Sequence, residues 1–313
     1  MREVDAALVE ARDLVVSFSA GGGTFRAVDG VSLSIKPGET VGLVGESGSG
    51  KTTLAKTILR LYRPDSGALK FEGTDISKLG DAALKPYRRR MQMVFQDPLS
   101  SFNPRVRIGE AIALPLRLAR RFPSAGTVAK IEILLNQVGL GPQFLQRYPH
   151  EMSGGQLQRV AIARALALLP RLIVADEAVS KLDVSVRAQI LNLLRDVQVS
   201  TGTALLFITH DLKVARYLCN TIAVMFFGRI VEIGATEALF AKPRHPYTKA
   251  LLATLEGAAS NVSALEPPAP AGIGCRYRTR CPIARVECAT SRPEFQLTQD
   301  GKLQVACPFV LSG

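Results

Sequence analysis

The sequence predicts an α/β fold in which helices pack against a parallel sheet. The stretches "ETVGLVG", "RLIVAD" and "ALLFITH" are short and almost wholly apolar, as strands buried on both faces of a parallel sheet are. The helical patterns "KTTLAKTILRLY" and "VSVRAQILNLLRDVQVS" follow the first stretch and separate the other two. Strand, helix and strand in this order are typical of a parallel sheet with helical connections.

Three further segments depart from this core pattern. Residues from about 8 to 35 alternate apolar and polar around the turn "SAGGGTF", which predicts an N-terminal antiparallel β-subdomain. Residues from about 98 to 152 are helical without a convincing strand, so we expect an inserted helical subdomain. The linker "EPPAPAGIG" precedes a tail rich in cysteine. In a chain of 313 residues we therefore expect a main domain over 1–241 and a small extension over 242–313.

Charge and composition limit the classes of partner. The chain has 39 Lys and Arg against 27 Asp and Glu, a net charge of +12, which suits nucleic acid, an anionic membrane surface or simply a basic proteome. No aromatic-interleaved RNA-binding signature or helix-turn-helix is recognisable, so we expect no nucleic acid partner. No apolar run approaches the ~18 residues of a membrane span. The charged N-terminus "MREVDAALVEARD" lacks the apolar region of a signal peptide, so we expect a cytoplasmic protein.

A glycine-rich loop predicts a nucleotide site. The pattern G-x-x-x-x-G-K-[ST] and the threonine after it comprise Gly45, Glu46, Ser47, Gly48, Ser49, Gly50, Lys51, Thr52 and Thr53. A predicted strand precedes the loop and a predicted helix follows it, which is the context that this motif requires. The glycines let backbone N–H groups surround the phosphates of ATP. Lys51 then neutralises the β- and γ-phosphates, and the Thr52 hydroxyl is a ligand for Mg²⁺.

Four polar residues at strand ends fit hydrolysis of the bound nucleotide. Asp176 ends "RLIVAD" and is predicted to bind Mg²⁺, while the adjacent Glu177 is the candidate general base for an attacking water. Gln96 ends the apolar run "MQMVFQ" and offers an amide to Mg²⁺ and water. His210 closes "ALLFITH", which we expect beside the Asp176 strand, where it can contact the γ-phosphate.

The stretch "MSGGQLQRVAIARAL" predicts a second anion site. Ser153, Gly154 and Gly155 stand before a helical pattern, and a helix N-terminus attracts anions through its N–H groups and its dipole. One chain thus carries two phosphate-binding motifs.

The order of these motifs resembles that of ATP-binding cassette (ABC) ATPases. The glycine loop, Gln96, "MSGGQ", "VADE", "SKLD" and "ITHD" follow one another as in that family, over residues from about 8 to 241. The resemblance implies a P-loop ABC ATPase core and head-to-tail pairing of two such domains. Ser153, Gly154, Gly155 and Gln156 would then close over the nucleotide held by the partner, which explains the second motif.

The resemblance also implies two further roles. Asp183 lies in the D-loop at the interface between paired domains, although Lys181 occupies a position where the family usually has a small residue. An aromatic ring from the N-terminal strands stacks on adenine in the family. Phe18 fits that position best, with Phe25 as the alternative.

Two segments and the tail resemble the F-type ATP-binding subunit of bacterial oligopeptide and dipeptide importers. They are "VFQDPLSSFNPRVRIGEAI", "ADEAVSKLDVSVRAQILNLL" and the tail that begins "HPYTKALL". The resemblance implies a peripheral protein on the cytoplasmic face of the inner membrane. Its partners would be a second, related ATPase subunit, two integral permeases and an extracytoplasmic peptide-binding protein. Residues after Gln96, such as Ser100 and Phe102, would meet the permeases. Importers of nickel, haem or glycosides, exporters, and soluble ABC ATPases of DNA repair or translation remain alternatives.

The chain has five cysteines, and four of them are in the tail. Cys219, in apolar "RYLCNTIAV", is predicted to be a buried thiol. The tail cysteines are Cys275, Cys281, Cys288 and Cys307. Their intervals of 5, 6 and 18 residues are looser than those of zinc sites. Four thiolates suffice for a [4Fe–4S] cluster, and the resemblance to the importer family implies one here. Zinc and free thiols are the alternatives.

Overall fold

The computed structural model describes residues 6–20, 23–119, 124–255 and 274–311. Nearly all of the predicted linker "EPPAPAGIG" lies outside the described residues.

The described residues form both β-strands and α-helices. The strands are β1 (Val9–Ala20), β2 (Gly23–Ile35), β3 (Thr40–Val44), β4 (Ser66–Phe71), β5 (Thr74–Asp75), β6 (Met91–Val94), β7 (Leu172–Asp176), β8 (Ala204–Thr209), β9 (Thr221–Phe226), β10 (Arg229–Ala235), β11 (Gln296–Leu297) and β12 (Leu303–Val305). The α-helices are α1 (Lys51–Ile58), α2 (Asp81–Arg90), α3 (Ile108–Leu118), α4 (Ser124–Gln137), α5 (Gly154–Leu166), α6 (Val184–Thr201), α7 (Leu212–Leu218), α8 (Thr236–Ala241), α9 (Pro246–Leu255) and α10 (Glu287–Thr290). Short 3₁₀ turns lie at Leu99–Ser101, Pro142–Phe144, Pro149–Glu151 and Pro308–Val310.

The first of two compact units comprises residues 1–78 and 207–313. Its antiparallel sheet has the strand order β2-β1-β4-β5, which confirms the predicted N-terminal β-subdomain. A second run of strands has the order β11-β12-β10-β9-β3, in which β3 and β9 are parallel. β3 is buried along its whole length, as its apolar sequence predicts.

The second unit comprises residues 79–206 and contains β6, β7 and the beginning of β8, in the strand order β8-β7-β6. β6 and β7 are parallel, and β8 is the neighbour of β7, as predicted. The chain passes from the second unit to the first within β8. Helices α3 and α4 occupy the range predicted to be a helical subdomain, and no strand lies in the described part of that range. The α/β class is thus confirmed.

Helix α1 is shorter than its sequence pattern predicts. The pattern continues to Tyr62, but the helix ends at Ile58. Arg60 adopts a left-handed φ of 53°, and its Nε donates a 2.8 Å hydrogen bond to the carbonyl of Ile76. The chain therefore leaves the helical conformation two residues after Ile58. Among the described residues no helix combines the length and the apolarity that a bilayer crossing requires.

Candidate active site

The glycine-rich loop connects β3 to α1 and can be built only with glycine at two positions. Gly45 and Gly50 have φ values of +154° and +103°. A Cβ on Gly45 would lie 2.1 Å from the carbonyl oxygen of Met225. A Cβ on Gly50 would lie 2.2 Å from the carbonyl oxygen of Ala27. The close approach of neighbouring backbone therefore requires both glycines.

Lys51 places its charge inside the loop. Its Nζ donates hydrogen bonds to the carbonyl oxygens of Gly45 at 2.9 Å and Glu46 at 2.7 Å, and to Ser49 Oγ at 3.3 Å. Only 5% of Lys51 is exposed. The ammonium group of Lys51 is therefore buried in the loop that the motif predicts to bind phosphate.

The other members of the loop differ in exposure. The most exposed positions, at the tip of the loop and the start of α1, are Ser47, Gly48 and Thr52. Ser49 is buried, and Thr53 is half-buried on the first turn of α1. The exposed Thr52 hydroxyl is an oxygen donor of the kind that Mg²⁺ prefers.

Glu46 contacts two residues that the sequence analysis did not assign to the site. Its backbone N–H donates a 2.9 Å hydrogen bond to the Tyr247 hydroxyl. Its carboxylate lies 3.2 Å from the guanidinium of Arg280. The two partners are 201 and 234 residues away in sequence, so no local pattern signals the contacts.

The second unit brings together the candidate base and the candidate amide. Gln96 Nε2 donates to a carboxylate oxygen of Glu177 at 2.8 Å and lies 3.4 Å from Ser180 Oγ. Ser180 in turn donates its hydroxyl to the Glu177 carbonyl at 3.0 Å. Asp176, at the end of β7, is buried, and the chain then turns at Glu177, which has a left-handed φ of 46°.

His210 directly follows β8 and belongs to the first unit. Its side chain is exposed. The predicted position at a strand end is confirmed, and the catalytic role of His210 stays a prediction.

The stretch "MSGGQ" forms a capped helix N-terminus in the second unit. Ser153 is the N-cap of α5, and its Oγ accepts a hydrogen bond from Gln156 N at 3.3 Å. Gln156 reciprocates by accepting from Ser153 N at 3.1 Å, which completes a capping box. Ser153 and Gly154 are exposed. A Cβ on Gly155 would lie 2.4 Å from Val186 Cγ1, so α5 and α6 approach closely only because this residue is glycine.

Asp183 has a local structural role besides the predicted interface role. Its carboxylate caps α6, accepting from Val186 N at 2.9 Å and from the Ser185 hydroxyl at 2.8 Å. The hydrogen bond from Val186 N, followed by that from Ser185, lowers the pKa of Asp183. Lys181 is exposed just before it.

The two candidates for adenine stacking lie opposite each other. Phe18 on β1 and Phe25 on β2 are cross-strand partners, and 39% and 46% of these residues are exposed. The Phe18 ring meets Tyr62 edge-on with centroids 5.5 Å apart. Tyr62 extends this aromatic surface and was not singled out from the sequence.

The four tail cysteines line a single cavity of about 230 Å³. Burial raises the pKa of the thiols of Cys275 and Cys307, and raises that of Cys281 to about 11. Within the described ranges no group of three or more His, Cys, Asp or Glu side chains is arranged to hold a metal ion, so the structure does not support the predicted [4Fe–4S] cluster. Cys219 is buried, as predicted.

Comparisons with known proteins agree with these motifs. The family model described as ABC transporter matches residues 28–180, and that of the oligopeptide/dipeptide transporter C-terminal region matches 231–288. A Brucella ovis protein named as a peptide import ATP-binding protein is 44% identical over 308 residues, covering 96% of this chain and 97% of its own length. The chain belongs to the family of ABC transporter ATP-binding proteins.

Two further relatives define the family more closely. The oligopeptide transport ATP-binding protein AppF of Bacillus subtilis is 44% identical, with 92% of this chain and 93% of AppF covered. The ATP-binding cassette MJ0796, solved as a dimer in a post-hydrolysis state with ADP and Pi, matches with a TM-score of 0.68 and 31% identity. That match covers 73% of this chain and 98% of MJ0796. As a member of this family the chain is an ATP hydrolase.

Proposed function

We propose that this chain is the ATP-hydrolysing subunit that powers import of oligopeptides or dipeptides through a partner membrane permease. The observation that carries the proposal is the presence, in one chain, of the nucleotide motifs and the oligopeptide/dipeptide transporter C-terminal region at 231–288. The names of the relatives from Brucella ovis and Bacillus subtilis support peptides as the substrate class.

The roles proposed for the nucleotide site follow from the chemistry of its side chains. Lys51 neutralises the β- and γ-phosphates, and Glu177 accepts a proton from the water that attacks the γ-phosphate. His210 contacts the γ-phosphate. Gln96 donates its amide NH₂ to Glu177, which orients the carboxylate.

Magnesium suits the donor atoms of this chain. Thr52, Asp176 and Gln96 supply a hydroxyl, a carboxylate and an amide oxygen, which are hard oxygen ligands. When bound, Mg²⁺ supplies positive charge that stabilises the phosphate oxygens during transfer.

The N-terminus of α5 would bind the nucleotide held by a second ATPase subunit. Ser153 and Gly154 are exposed at the N-terminus of α5, where the helix dipole favours an anion. A γ-phosphate brought by the partner strengthens this attraction, and hydrolysis weakens it. ATP thus joins the two subunits and hydrolysis releases them. By family resemblance the partner is a related but different chain.

The permeases would contact the segment after Gln96 at the cytoplasmic face of the membrane. Leu99 is 51% exposed and Ser100 is exposed. Phe102, predicted to face the permease, is instead buried, with the Arg164 guanidinium 4.1 Å from its ring centroid. Arg164 also donates to the Ser101 carbonyl at 2.7 Å. A crosslinker at Ser100 is therefore the suitable probe, and failure to capture a permease loop would reject this contact.

We also propose that Cys275, Cys281, Cys288 and Cys307 are the ligands of a [4Fe–4S] cluster. The assignment rests on the family resemblance, and the four cysteines line one cavity without being arranged as a metal site among the described residues. A bound cluster would supply cross-links that a short extension without a large core needs. Anaerobically purified protein should contain iron and show a broad visible absorbance. Absence of both would reject the cluster.

The import function can be tested in the complete transporter. The chain should be reconstituted in vesicles with the permeases and ATPase subunit that co-purify with it, together with the extracytoplasmic binding protein. Peptide-loaded binding protein should stimulate ATP turnover and cause peptide uptake, and both should be lost with Glu177→Gln. If the loaded binding protein does not change the rate of ATP turnover and no peptide is taken up, the proposed function is wrong.

A further inference from the structure

The residue after the first glycine of the loop is anchored by the C-terminal extension through two separate groups. Glu46 donates its backbone N–H to the Tyr247 hydroxyl at 2.9 Å, and its carboxylate lies 3.2 Å from Arg280. Tyr247 belongs to α9, and Arg280 directly precedes Cys281, which lines the cysteine cavity. Two distant parts of the extension therefore converge on one loop residue.

Both anchoring side chains are held in place by aromatic packing. Tyr247 is 1% exposed, and its ring lies 4.6 Å from that of Phe226 and 5.4 Å from that of Tyr277, centroid to centroid. The side chain of Arg280 is 7% exposed and its guanidinium lies 5.7 Å from the Phe226 centroid. Such buried groups position what they contact, because they have few other rotamers available.

The segment before Tyr247 is equally fixed. Glu232 is fully buried, and its carboxylate accepts hydrogen bonds from the backbone of Arg244 at 2.7 Å and of His245 at 3.0 Å. Burial lowers the pKa of His245 to about 3, so the imidazole is neutral and its Nδ1 accepts from Tyr247 N at 3.1 Å. The start of α9 is thereby tied to β10.

Glu46 also connects these anchors to the candidate phosphate-binding lysine. Its carbonyl oxygen accepts from Lys51 Nζ at 2.7 Å. The extension holds the N–H and the carboxylate of Glu46, while Lys51 contacts its carbonyl. A shift of the Glu46 peptide therefore changes the cradle in which the ammonium group lies.

We propose that Tyr247 and Arg280 are positioning residues of the nucleotide site, through which the C-terminal extension sets the affinity for nucleotide. The inference rests on the proposed role of Lys51 in holding phosphate. A loop already held in its binding geometry loses less conformational entropy when nucleotide binds, so loosening the loop weakens binding.

The first test compares two tyrosines of the same aromatic cluster by calorimetric titration of the full chain with Mg·ADP. Tyr247→Phe removes the acceptor for Glu46 N–H and keeps the ring. It should raise Kd about 2- to 12-fold, the range expected for one hydrogen bond. Tyr277→Phe is the matched control, because the Tyr277 hydroxyl is buried and has no hydrogen-bond partner among the described residues. It should leave Kd within about twofold of wild type.

The second test is a double-mutant cycle on the ion pair. Glu46→Gln and Arg280→Gln should each raise Kd about 2- to 5-fold, and the double variant should be no weaker than the worse single variant. Arg280→Lys, which keeps the charge, should recover part of the loss. Arg216→Gln is the control, because Arg216 also pairs with a glutamate, Glu237 at 3.3 Å, but both side chains are exposed.

Thermal unfolding without nucleotide separates positioning from simple attachment. If Tyr247→Phe and Arg280→Gln lower Tm but bind Mg·ADP like wild type, the contacts only attach the extension and the inference is overturned. Lys51→Ala should abolish binding. If wild type does not bind Mg·ADP, or if Lys51→Ala binds it with the affinity of wild type, the proposed role of the loop in holding phosphate is wrong. The inference about Tyr247 and Arg280 is then wrong as well.

Discussion

Replacing Asp29 with Asn should destabilise the chain strongly. The Asp29 side chain is 2% exposed and accepts charge-assisted contacts from Arg229 at 2.7 Å and from Arg276 and Arg26 at 3.3 Å. Asp29→Asn keeps the shape of the side chain but removes its charge. It removes the carboxylate charge that faces Arg276 and Arg229, whose side chains are 5% and 13% exposed. Each arginine keeps a hydrogen bond to a backbone carbonyl, Arg276 to Phe227 at 2.6 Å and Arg229 to Gly274 at 3.0 Å.

The expected loss is about 3–5 kcal/mol, because removing one partner of a buried ion pair leaves the opposite charge without its counter-ion in a poorly solvated site. Arg292 moderates the loss, since its guanidinium donates to the backbone carbonyl of Asp29 at 2.7 Å and keeps that contact in the variant. The chain contains no tryptophan, so far-ultraviolet circular dichroism in a urea series is the suitable measurement. Hydrogen exchange over residues 274–311 should increase in parallel, because Arg276 and Arg292 belong to that segment.

Asp81→Asn is the matched control. Asp81 also pairs with an arginine, Arg88 at 2.9 Å, but its side chain is 87% exposed. Its replacement should cost less than about 1 kcal/mol. If Asp29→Asn lowers the free energy of unfolding no more than Asp81→Asn, the contacts of Asp29 with Arg276 and Arg292 do not stabilise the C-terminal extension. The argument from buried charge is then refuted.

Three other predictions concern pH, catalysis and helix packing. Burial alone raises the pKa of Asp29, but the hydrogen bond and charge of Arg229 and the charges of Arg276 and Arg292 lower it overall. The charged Asp29 therefore stabilises the fold above the pKa that Asp29 has in the unfolded chain, and this stabilisation is lost as pH falls below about 4. Wild type should lose stability in that range more steeply than Asp29→Asn. Parallel pH profiles of the two proteins would contradict this. Glu177→Gln should reduce ATP turnover by at least about 100-fold while Mg·ADP binding persists, and a retained steady-state rate would exclude Glu177 as the base. Gly155→Ala should cost about 1–3 kcal/mol in urea unfolding, because its Cβ would lie 2.4 Å from Val186 Cγ1. Gly154→Ala, in the same helical turn, is the matched control, because its Cβ would lie 3.9 Å from Leu182 Cδ2, an ordinary van der Waals contact. An equal cost at both glycines would contradict the steric explanation.

Local patterns predicted the parts of the site that are formed by consecutive residues. The loop between β3 and α1, the strand ending at Asp176 and the helix beginning after Ser153 all depend on nearest-neighbour geometry, and the structure has each of them at the predicted place. Apolar runs also predicted the neighbouring strands β7 and β8, because buried parallel strands have few other sequence patterns.

Contacts between residues far apart in sequence could not be predicted in the same way. Nothing near Glu46 indicates that Tyr247 and Arg280 contact it, and nothing near Asp29 indicates a cluster of arginines. Side-chain periodicity reports which face of an element is buried and leaves the packing partner open. For Phe102 the sequence predicted a contact that the structure does not show. This residue was expected to face a partner protein, but its ring packs against Arg164 of its own chain.

The measurement that most directly tests whether this chain holds half of each of two nucleotide sites is the dependence of ATP turnover on protein concentration, with the partner ATPase subunit present and absent. Turnover per molecule should rise with concentration at low concentrations of the mixture and remain very low for the isolated chain. The Glu177→Gln variant should trap an ATP-bridged pair with the partner in sedimentation velocity. Full-rate hydrolysis by the isolated chain, strictly proportional to its concentration and without such a pair, would contradict the account.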